Sequence, residues 1–433
     1  MFNYKTDLDE LAEEKKSWQL DQANAQNQNI NINNLCSDSL SDSFVKMMKN
    51  GISPLNKIQD IFHENIPIFN GIFFQVLDHF IINNQVEGMT LLEILLFKNM
   101  NNVANFYGEY SVPIVLNYLP KSFPIIECLL SNSLSHNAKK KFYSTNWIQF
   151  LQNFAQDLNY HFVLSKIIKI IEPPKIDLNS VVIFFSICES LLNSPNKIVV
   201  INILDGFQDH FYAYFPQEIA ILLKGYLNKF IFNNNDEKSC DDYLIIQLLL
   251  LTLSNIVTDD TIQIITGNNG LMFSFLAESL SSTNENLVSA ASEFALALVS
   301  YDQAYEFLTS PIIIGHIFKL ASDSLFSTRK NMILILCDLI IRQNKEKNLL
   351  FLANGVLDLL IEFLGIDQDQ NTSDVLQGIQ YLAESVEDTN QIDVVINTLI
   401  ANKPLFYQIA DNQCESISKQ AETILKGLSI YTL

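Results

Sequence analysis

The feature that most limits the fold of this chain is a helical pattern that returns about every 40 to 45 residues. Each unit has a long helix with apolar periodicity, a polar break, a second helix, a small turn and a further apolar helix. One such unit cannot bury its apolar faces alone, so neighbouring units must stack to share a core. Three units align well and two upstream segments fit the same register: residues 284–324, 325–365 and 370–410, then 241–280 and 181–206.

This period falls in the range of HEAT and armadillo repeats. The sequence therefore predicts an all-α fold, a right-handed superhelical solenoid of armadillo (ARM/HEAT-like) repeats over residues 44–433. Residues 1–43 are polar and rich in Gln and Asn, which predicts a disordered N-terminal tail. Only 13 Gly and 11 Pro occur in 433 residues, which favours many helices joined by short Asn, Asp and Ser turns.

Composition restricts the partners of the chain. Its net charge of −21 repels phosphate backbones, so we expect no nucleic-acid binding and favour basic peptides or proteins as partners. An alternative is that the acidic balance only keeps a long helical array soluble. No uncharged apolar run reaches the roughly 20 residues of a membrane span, and the N-terminus is charged. We therefore expect a soluble, intracellular protein without a membrane segment.

No arrangement of residues in the sequence indicates chemistry. The six cysteines lie far apart without a C-x-x-C pair, and the six histidines are scattered without H-E-x-x-H spacing. The glycines of "TGNNG" (266–270) lack the lysine of a phosphate loop and are interpreted as a turn between helices. The sequence predicts no metal site, no cofactor, no catalytic residues and no enzymatic activity.

Four segments resemble importin α, the armadillo-repeat adaptor that carries cargo into the nucleus. They are "SPNKIVVINILDG" (194–206), "SNIVTDDTIQIIT" (254–266), "SPIIIGHIFKLASDSLFSTRKNM" (310–332) and "CESISKQAETILKGL" (414–428), and they keep the order of the family. The resemblance implies an adaptor that holds nuclear localisation signals extended in a concave groove during nuclear import. It also implies localisation in the cytoplasm and the nucleus.

In that family, the groove-lining helix of each repeat carries Trp and, four residues later, Asn, which lie on one helix face. The Trp rings hold Lys or Arg stems, and the Asn amides clamp the peptide backbone. The resemblance places the peptide-binding groove of this chain at eight positions: Asn132, Phe185, Glu189, Leu251, Asn255, Phe294, Leu334 and Asp338.

The chain departs from the family pattern at most of these positions. Asn132 and Asn255 keep the amide, but no mapped slot carries Trp; these slots hold Cys128, Phe185, Phe294 and Leu334. Leu251 stands where the family usually has Arg, and Glu189, Leu298 and Asp338 stand where a polar residue is usual. Asn255 also has a simpler interpretation, as a polar residue near the end of its helix.

The resemblance further implies that the tail, residues 1–43, recruits importin β. The segment "NYKTDLDELAEEKKSWQLDQANAQ" has the right place but is net acidic, with Lys5, Lys15 and Lys16 as its cations. The acidic tail and the missing tryptophans leave a second hypothesis open. In that hypothesis the chain is an armadillo-repeat interaction scaffold that has lost both the signal-binding and the importin-β-binding features.

Overall fold

The chain forms two compact units, Met1–Trp147 and Ile148–Leu433. The computed structural model describes residues 40–51, 53, 76–77, 79–81, 83, 85–98, 116, 121–131, 136–233, 239–267, 271–342, 345–366, 371–386, 390–412 and 414–429. The predicted tail lies almost wholly outside these residues. The first described helix begins at Leu40, four residues before the predicted boundary at 44.

In the first unit, the described helices are α1 (Leu40–Lys49), α2 (Gln85–Lys98), α3 (Phe123–Ser131) and α4 (His136–Tyr143). Helix α3 packs against both α2 and α4. Trp147, one of two tryptophans in the chain, starts α5 (Trp147–Gln152) and is buried against the rings of Phe142 and Tyr143. It is therefore a core residue.

The second unit is built from many short and medium helices. They are α6 (His161–Ile170), α7 (Val181–Leu192), α8 (Lys197–Gly206), α9 (Pro216–Asn233), α10 (Cys240–Ile256), α11 (Ile262–Thr266), α12 (Leu271–Leu280), α13 (Glu285–Val299), α14 (Asp302–Leu308), α15 (Pro311–Asp323), α16 (Phe326–Ile341), α17 (Lys345–Ala353), α18 (Val356–Ile366), α19 (Thr372–Ser385), α20 (Ile392–Ala401), α21 (Lys403–Ala410) and α22 (Glu415–Ser429). A short π-helix, Phe207–Phe211, follows α8.

One set of helices in this unit packs side by side from one repeat to the next. We call α6, α8, α10, α13, α16, α19 and α22 the stacked row, because each contacts the next along its length. The other helices contact their counterparts at few positions: α11 contacts α14, α12 contacts α15, and α15 contacts α18. From α11 onward, each repeat therefore contributes two shorter helices and a longer third helix that joins the stacked row.

This arrangement confirms the predicted all-α solenoid of armadillo type, since the described residues form helices and no strand. The predicted units at 284–324 and 325–365 each hold one long helix of the stacked row and the two helices that follow it. Helix α13 shows how the sequence produces this packing. Its small residues Ala291 and Ala295 alternate with Leu287, Phe294 and Leu298 on one buried face, so neighbouring helices approach closely.

Polar residues at the joints start the helices of the stacked row. Asn196 and Asn284 cap α8 and α13 by accepting hydrogen bonds from first-turn amides. Ser239 and Asp242 form a reciprocal capping box at the start of α10. The Asn- and Ser-rich joints of the sequence thus include specific helix starts, which explains how few prolines and glycines the fold needs.

The register predicted for residues 181–206 is wrong in one respect. The mapping placed α7 among the groove-lining helices, but α8 occupies the stacked row. Polar contacts fix α8 there: Lys169 Nζ lies 2.8 Å from Asp205 Oδ2, and Lys197 Nζ lies 2.7 Å from Asp242 Oδ2. Asn202 also donates to Ser165 Oγ at 3.0 Å. Helix α7 instead packs on α8 and α9.

Candidate functional site

Four helices of the stacked row each leave one side at least partly accessible to solvent. On α10, α13, α16 and α19 this side carries residues at i and i+4, which share one helix face. We call these residues the exposed stripe: Leu251 and Asn255, Glu293 and Ala297, Lys330, Asn331, Leu334 and Asp338, and Gln377, Gln380 and Glu384. The stripe mixes amides, carboxylates, one lysine and aliphatic side chains.

Two hydrogen bonds align three helices of the stripe. Ser254 Oγ on α10 donates to the backbone carbonyl of Glu293 on α13 at 3.3 Å. Asn331 Nδ2 on α16 donates to Ser292 Oγ on α13 at 2.9 Å. Glu293 therefore lies on the helix between the two that carry Asn255, which follows Ser254, and Asn331. The stripe therefore carries an amide, a carboxylate and an amide on three neighbouring helices.

Glu293 is the electrostatically unusual member of this set. Burial raises the pKa of its carboxyl group above the ordinary value. No described cation forms an ion pair with Glu293, and this includes Lys330 on the neighbouring helix of the stripe. A carboxylate that is partly desolvated and unneutralised gains free energy when a cation approaches it.

The other two carboxylates of the stripe each have a polar neighbour, and only for Asp338 is this neighbour a cation. Asp338 lies 3.3 Å from Arg342 Nε, and that arginine also binds Asp302. Glu384 accepts a hydrogen bond of 3.0 Å from Gln380 Nε2, one turn earlier on α19. The amide orients the Glu384 carboxylate but leaves its charge in place. Glu293 and Glu384 are thus the stripe carboxylates that retain an uncompensated charge among the described contacts.

Four of the residues predicted from the resemblance lie on the stripe. Asn255 is exposed, and Leu251, Leu334 and Asp338 are partly exposed on the same side of the stacked row. Their positions agree with the helix faces that the mapping assigned to α10 and α16. Whether they bind a peptide stays a prediction.

The other predicted residues do not join them. Phe294 and Leu298 have no accessible surface and pack in the core. The mapping of α13 is therefore one residue out of register. Phe185 and Glu189 are on α7, which is outside the stacked row. Asn132 lies outside the described residues.

Sequence reasoning missed Glu293, Asn331 and Glu384. The segment "NENLVSAASEFALALV" contains the signal that would have found Glu293. Its apolar positions recur at three- and four-residue spacing and place Phe294 on the buried face, so the preceding residue falls on the exposed face. The mapping followed the family motif instead of this periodicity, and it selected the buried neighbour.

Among the described residues, no three His, Cys, Asp or Glu side chains come together as a metal site requires. Cys188 and Cys337 are buried, and burial raises the pKa of both thiols. Within the described helices, none is by itself long and apolar enough to cross a membrane. By length and composition alone, one pair bent by 74°, Lys345–Ala353 with Val356–Ile366, passes such a test.

Comparison with known proteins finds similar solved structures but no matching family. No protein-family model and no curated protein matches the chain. The similar solved structures include the designed armadillo repeat protein YIII(Dq)4CqI, with 18% identity, a TM-score of 0.45, and coverage of 56% of this chain and 98% of the other. A second designed armadillo repeat protein, YIII(Dq.V1)4CPAF in complex with peptide (KR)4, has 17% identity, a TM-score of 0.44 and coverage of 56% and 98%.

A crystal complex of SYS-1/POP-1 is similar over more of the chain. It has 14% identity and a TM-score of 0.47, and the match covers 90% of this chain and 73% of the other. All three TM-scores are below 0.5. The solenoid fold of this chain therefore rests on its own stacked helices, described above, and not on these similarities.

Proposed function

We propose that the second unit is a binding module that holds a basic segment of a partner protein, in extended form, along the exposed stripe. The observation that carries this proposal is the position of Glu293. Its partly desolvated carboxylate is on α13, the helix between those that carry Asn255 and Asn331. A Lys or Arg side chain supplies the missing charge, and the two amides can donate to and accept from an extended backbone.

The packing of the repeats supports this choice of surface. Helices of the stacked row contact one another along their length, whereas the second helices contact at few positions. A stack that is tighter on one side curves toward that side, so we expect the stripe to face the concave side of the second unit. Concave solenoid surfaces suit extended partners, because one segment can contact several repeats.

Binding of a fluorescein-labelled lysine-rich peptide, followed by anisotropy, tests the proposal. Replacing Glu293 by Gln removes the unmatched charge and is expected to weaken binding about five- to tenfold, and Asn255→Ala by a similar factor. Lys330→Gln, which removes the cation of the stripe, is expected to strengthen binding. Asp358→Asn on α18 and Asn397→Ala on α20 are matched controls outside the stripe, both exposed, and are expected to change little.

The salt dependence of binding provides a second readout. Affinity that rests on charge falls as ionic strength rises, because screening shortens the range of the interaction. If wild type and Glu293→Gln bind the peptide equally at low salt, the stripe is not the binding surface and the proposal is wrong.

The more specific form of the proposal is an importin-α-like adaptor that carries cargo for nuclear import and is present in cytoplasm and nucleus. The collinear resemblance supports it. We expect immobilised importin β to retain the full chain and to lose this retention when residues 1–43 are removed. The competing function is an interaction scaffold without transport partners, which the absence of tryptophan from the stripe favours. A scaffold shows no retention by importin β in either form.

A further inference from the structure

An open pocket of about 260 Å³ lies at the end of the described solenoid, between α19, α20 and α22. Most of its lining is aliphatic: Ile379 and Ala383 from α19, Val395 and Leu399 from α20, and Ile424 and Leu428 from α22. Gln380 and Glu384, which belong to the exposed stripe, also line it. The pocket therefore adjoins the surface proposed to bind a basic segment.

The size of the pocket indicates what it can hold. A cavity of about 150 Å³ lined by aliphatic side chains accommodates a benzene ring, so 260 Å³ has room for one large aromatic or aliphatic side chain. Small-molecule sites usually have volumes of roughly 300 to 1,000 Å³. The volume and the apolar lining thus fit a single side chain of a larger partner better than a cofactor.

The charges around the pocket indicate what accompanies that side chain. Glu384 carries a negative charge at the edge, oriented by the amide of Gln380. Lys426, next to the pocket residue Gly427, is engaged 3.1 Å from Glu422 on its own helix. The exposed Asp393 follows the pocket residue Ile392 on α20. The described charges near the pocket therefore sum to a negative value and complement a cation.

We propose that this pocket receives one large apolar side chain of a protein or peptide partner, and that a neighbouring Lys or Arg of the same partner pairs with Glu384. The inference rests on the proposed function and adds a requirement on the amino-acid sequence of the partner. The partner carries Phe, Leu or a similar residue beside its basic residues, and the apolar contact at the end of the solenoid fixes the register of the extended segment.

Gly427 provides a clean test of this site. It lines the pocket within α22, and a Cβ atom added there meets no heavy atom within 4 Å. A leucine at this position adds bulk to the lining of the pocket without a clash at its Cβ, and it favours the helix more than glycine does. Gly315 on α15 also has open space around an added Cβ and lies outside the pocket. Gly315→Leu is therefore the matched control.

The experiment compares two fluorescein-labelled peptides bound by the full chain. In one, a single Phe is flanked by two Lys on each side; in the other, Ala replaces the Phe. Burial of one large apolar side chain is expected to make the Phe peptide bind about tenfold tighter. Gly427→Leu is expected to abolish this preference, and Gly315→Leu to retain it. Glu384→Gln is expected to weaken both peptides and to keep the preference for Phe.

Equal binding of the two peptides to wild type overturns the inference but leaves the proposed function intact, provided that Glu293→Gln still weakens both. A preference that survives Gly427→Leu also overturns it. If the preference appears only after residues 430–433 are removed, or only where the protein is monomeric, the pocket holds the end of this chain or a second copy. Either outcome overturns the inference. If neither peptide binds wild type, the proposed function and the inference fail together.

Discussion

Arg342 makes a concentrated set of contacts between two repeats of the second unit, and its loss gives the sharpest prediction. The residue follows the last residue of α16. Its Nη2 donates to the backbone carbonyl of Val299 at 2.6 Å, and its Nη1 lies 2.7 Å from Asp302. Its Nε lies 3.3 Å from Asp338, and its guanidinium lies 5.3 Å from the ring centre of Tyr305.

These contacts do not contribute equally to stability. The charged hydrogen bond to the last carbonyl of α13 contributes about 1.5 to 3 kcal/mol. The cation–π contact adds about 0.5 to 1 kcal/mol. The pair with Asp302 contributes little, because that side chain is 99% exposed and water competes for it. Arg342→Ala is therefore expected to lower the free energy of unfolding by about 2 to 4 kcal/mol.

Urea unfolding followed by circular dichroism measures this loss, with an unchanged slope showing that compactness is unaffected. Because neighbouring repeats contribute separate interface terms, amide hydrogen exchange is expected to show the loss at α13, α14 and α16 before α21 and α22. Lys319→Ala, on the exposed side of α15, is the control. A change below about 0.5 kcal/mol, or a loss of protection spread equally over all repeats, refutes the reasoning.

Three further predictions concern titration and reactivity. Burial alone would raise the pKa of Asp242, but hydrogen bonds from Lys197 and a neighbouring serine outweigh it and hold the pKa below its ordinary value. The stabilisation is therefore present above about pH 4 and is lost as pH falls through the folded pKa. Asp242→Asn should therefore reduce the fall of the melting temperature at acidic pH. The pKa of Glu293 is raised, so stability should fall as pH rises through that pKa; Glu293→Gln should remove this slope, and an unchanged slope contradicts the assignment. Iodoacetamide should label exposed Cys240 in the folded protein and leave buried Cys337 unmodified, as peptide mass spectrometry can check; equal rates contradict the burial.

The repeat period and the apolar spacing were sufficient to predict the helical solenoid, because stacking is the general way for such units to bury their apolar faces. The same information did not determine which helix of residues 181–206 joins the stacked row. Both α7 and α8 are strongly apolar, so periodicity does not separate them. Long-range ion pairs, such as that of Lys197 with Asp242, distinguish the two, and they become visible only when the repeats are in contact.

The candidate site was predictable only where the family motif and the helix period agreed. They agree at Leu251 and Asn255, and again at Leu334 and Asp338, which lie on the exposed stripe. They conflict on α13, where a one-residue difference rotates a side chain by about 100° and exchanges a surface position for a core position. In such a conflict the apolar periodicity predicts the exposed residue better than the family motif does, because a Phe side chain is buried by its hydrophobicity whichever family the chain resembles.

The distribution of charge in the second unit connects its stability with its proposed function. Both arginines of the chain are used in its own packing: Arg329 pairs with Glu362 at 3.0 Å, and Arg342 joins two repeats. Lys197 and Lys347 likewise pair with acidic residues of neighbouring segments. Apart from Arg342, which also pairs with Asp338, these cations pair at the junctions and not with the carboxylates of the exposed stripe. The contacts that hold successive repeats together therefore leave the stripe acidic, and a basic partner is the complement that this surface favours.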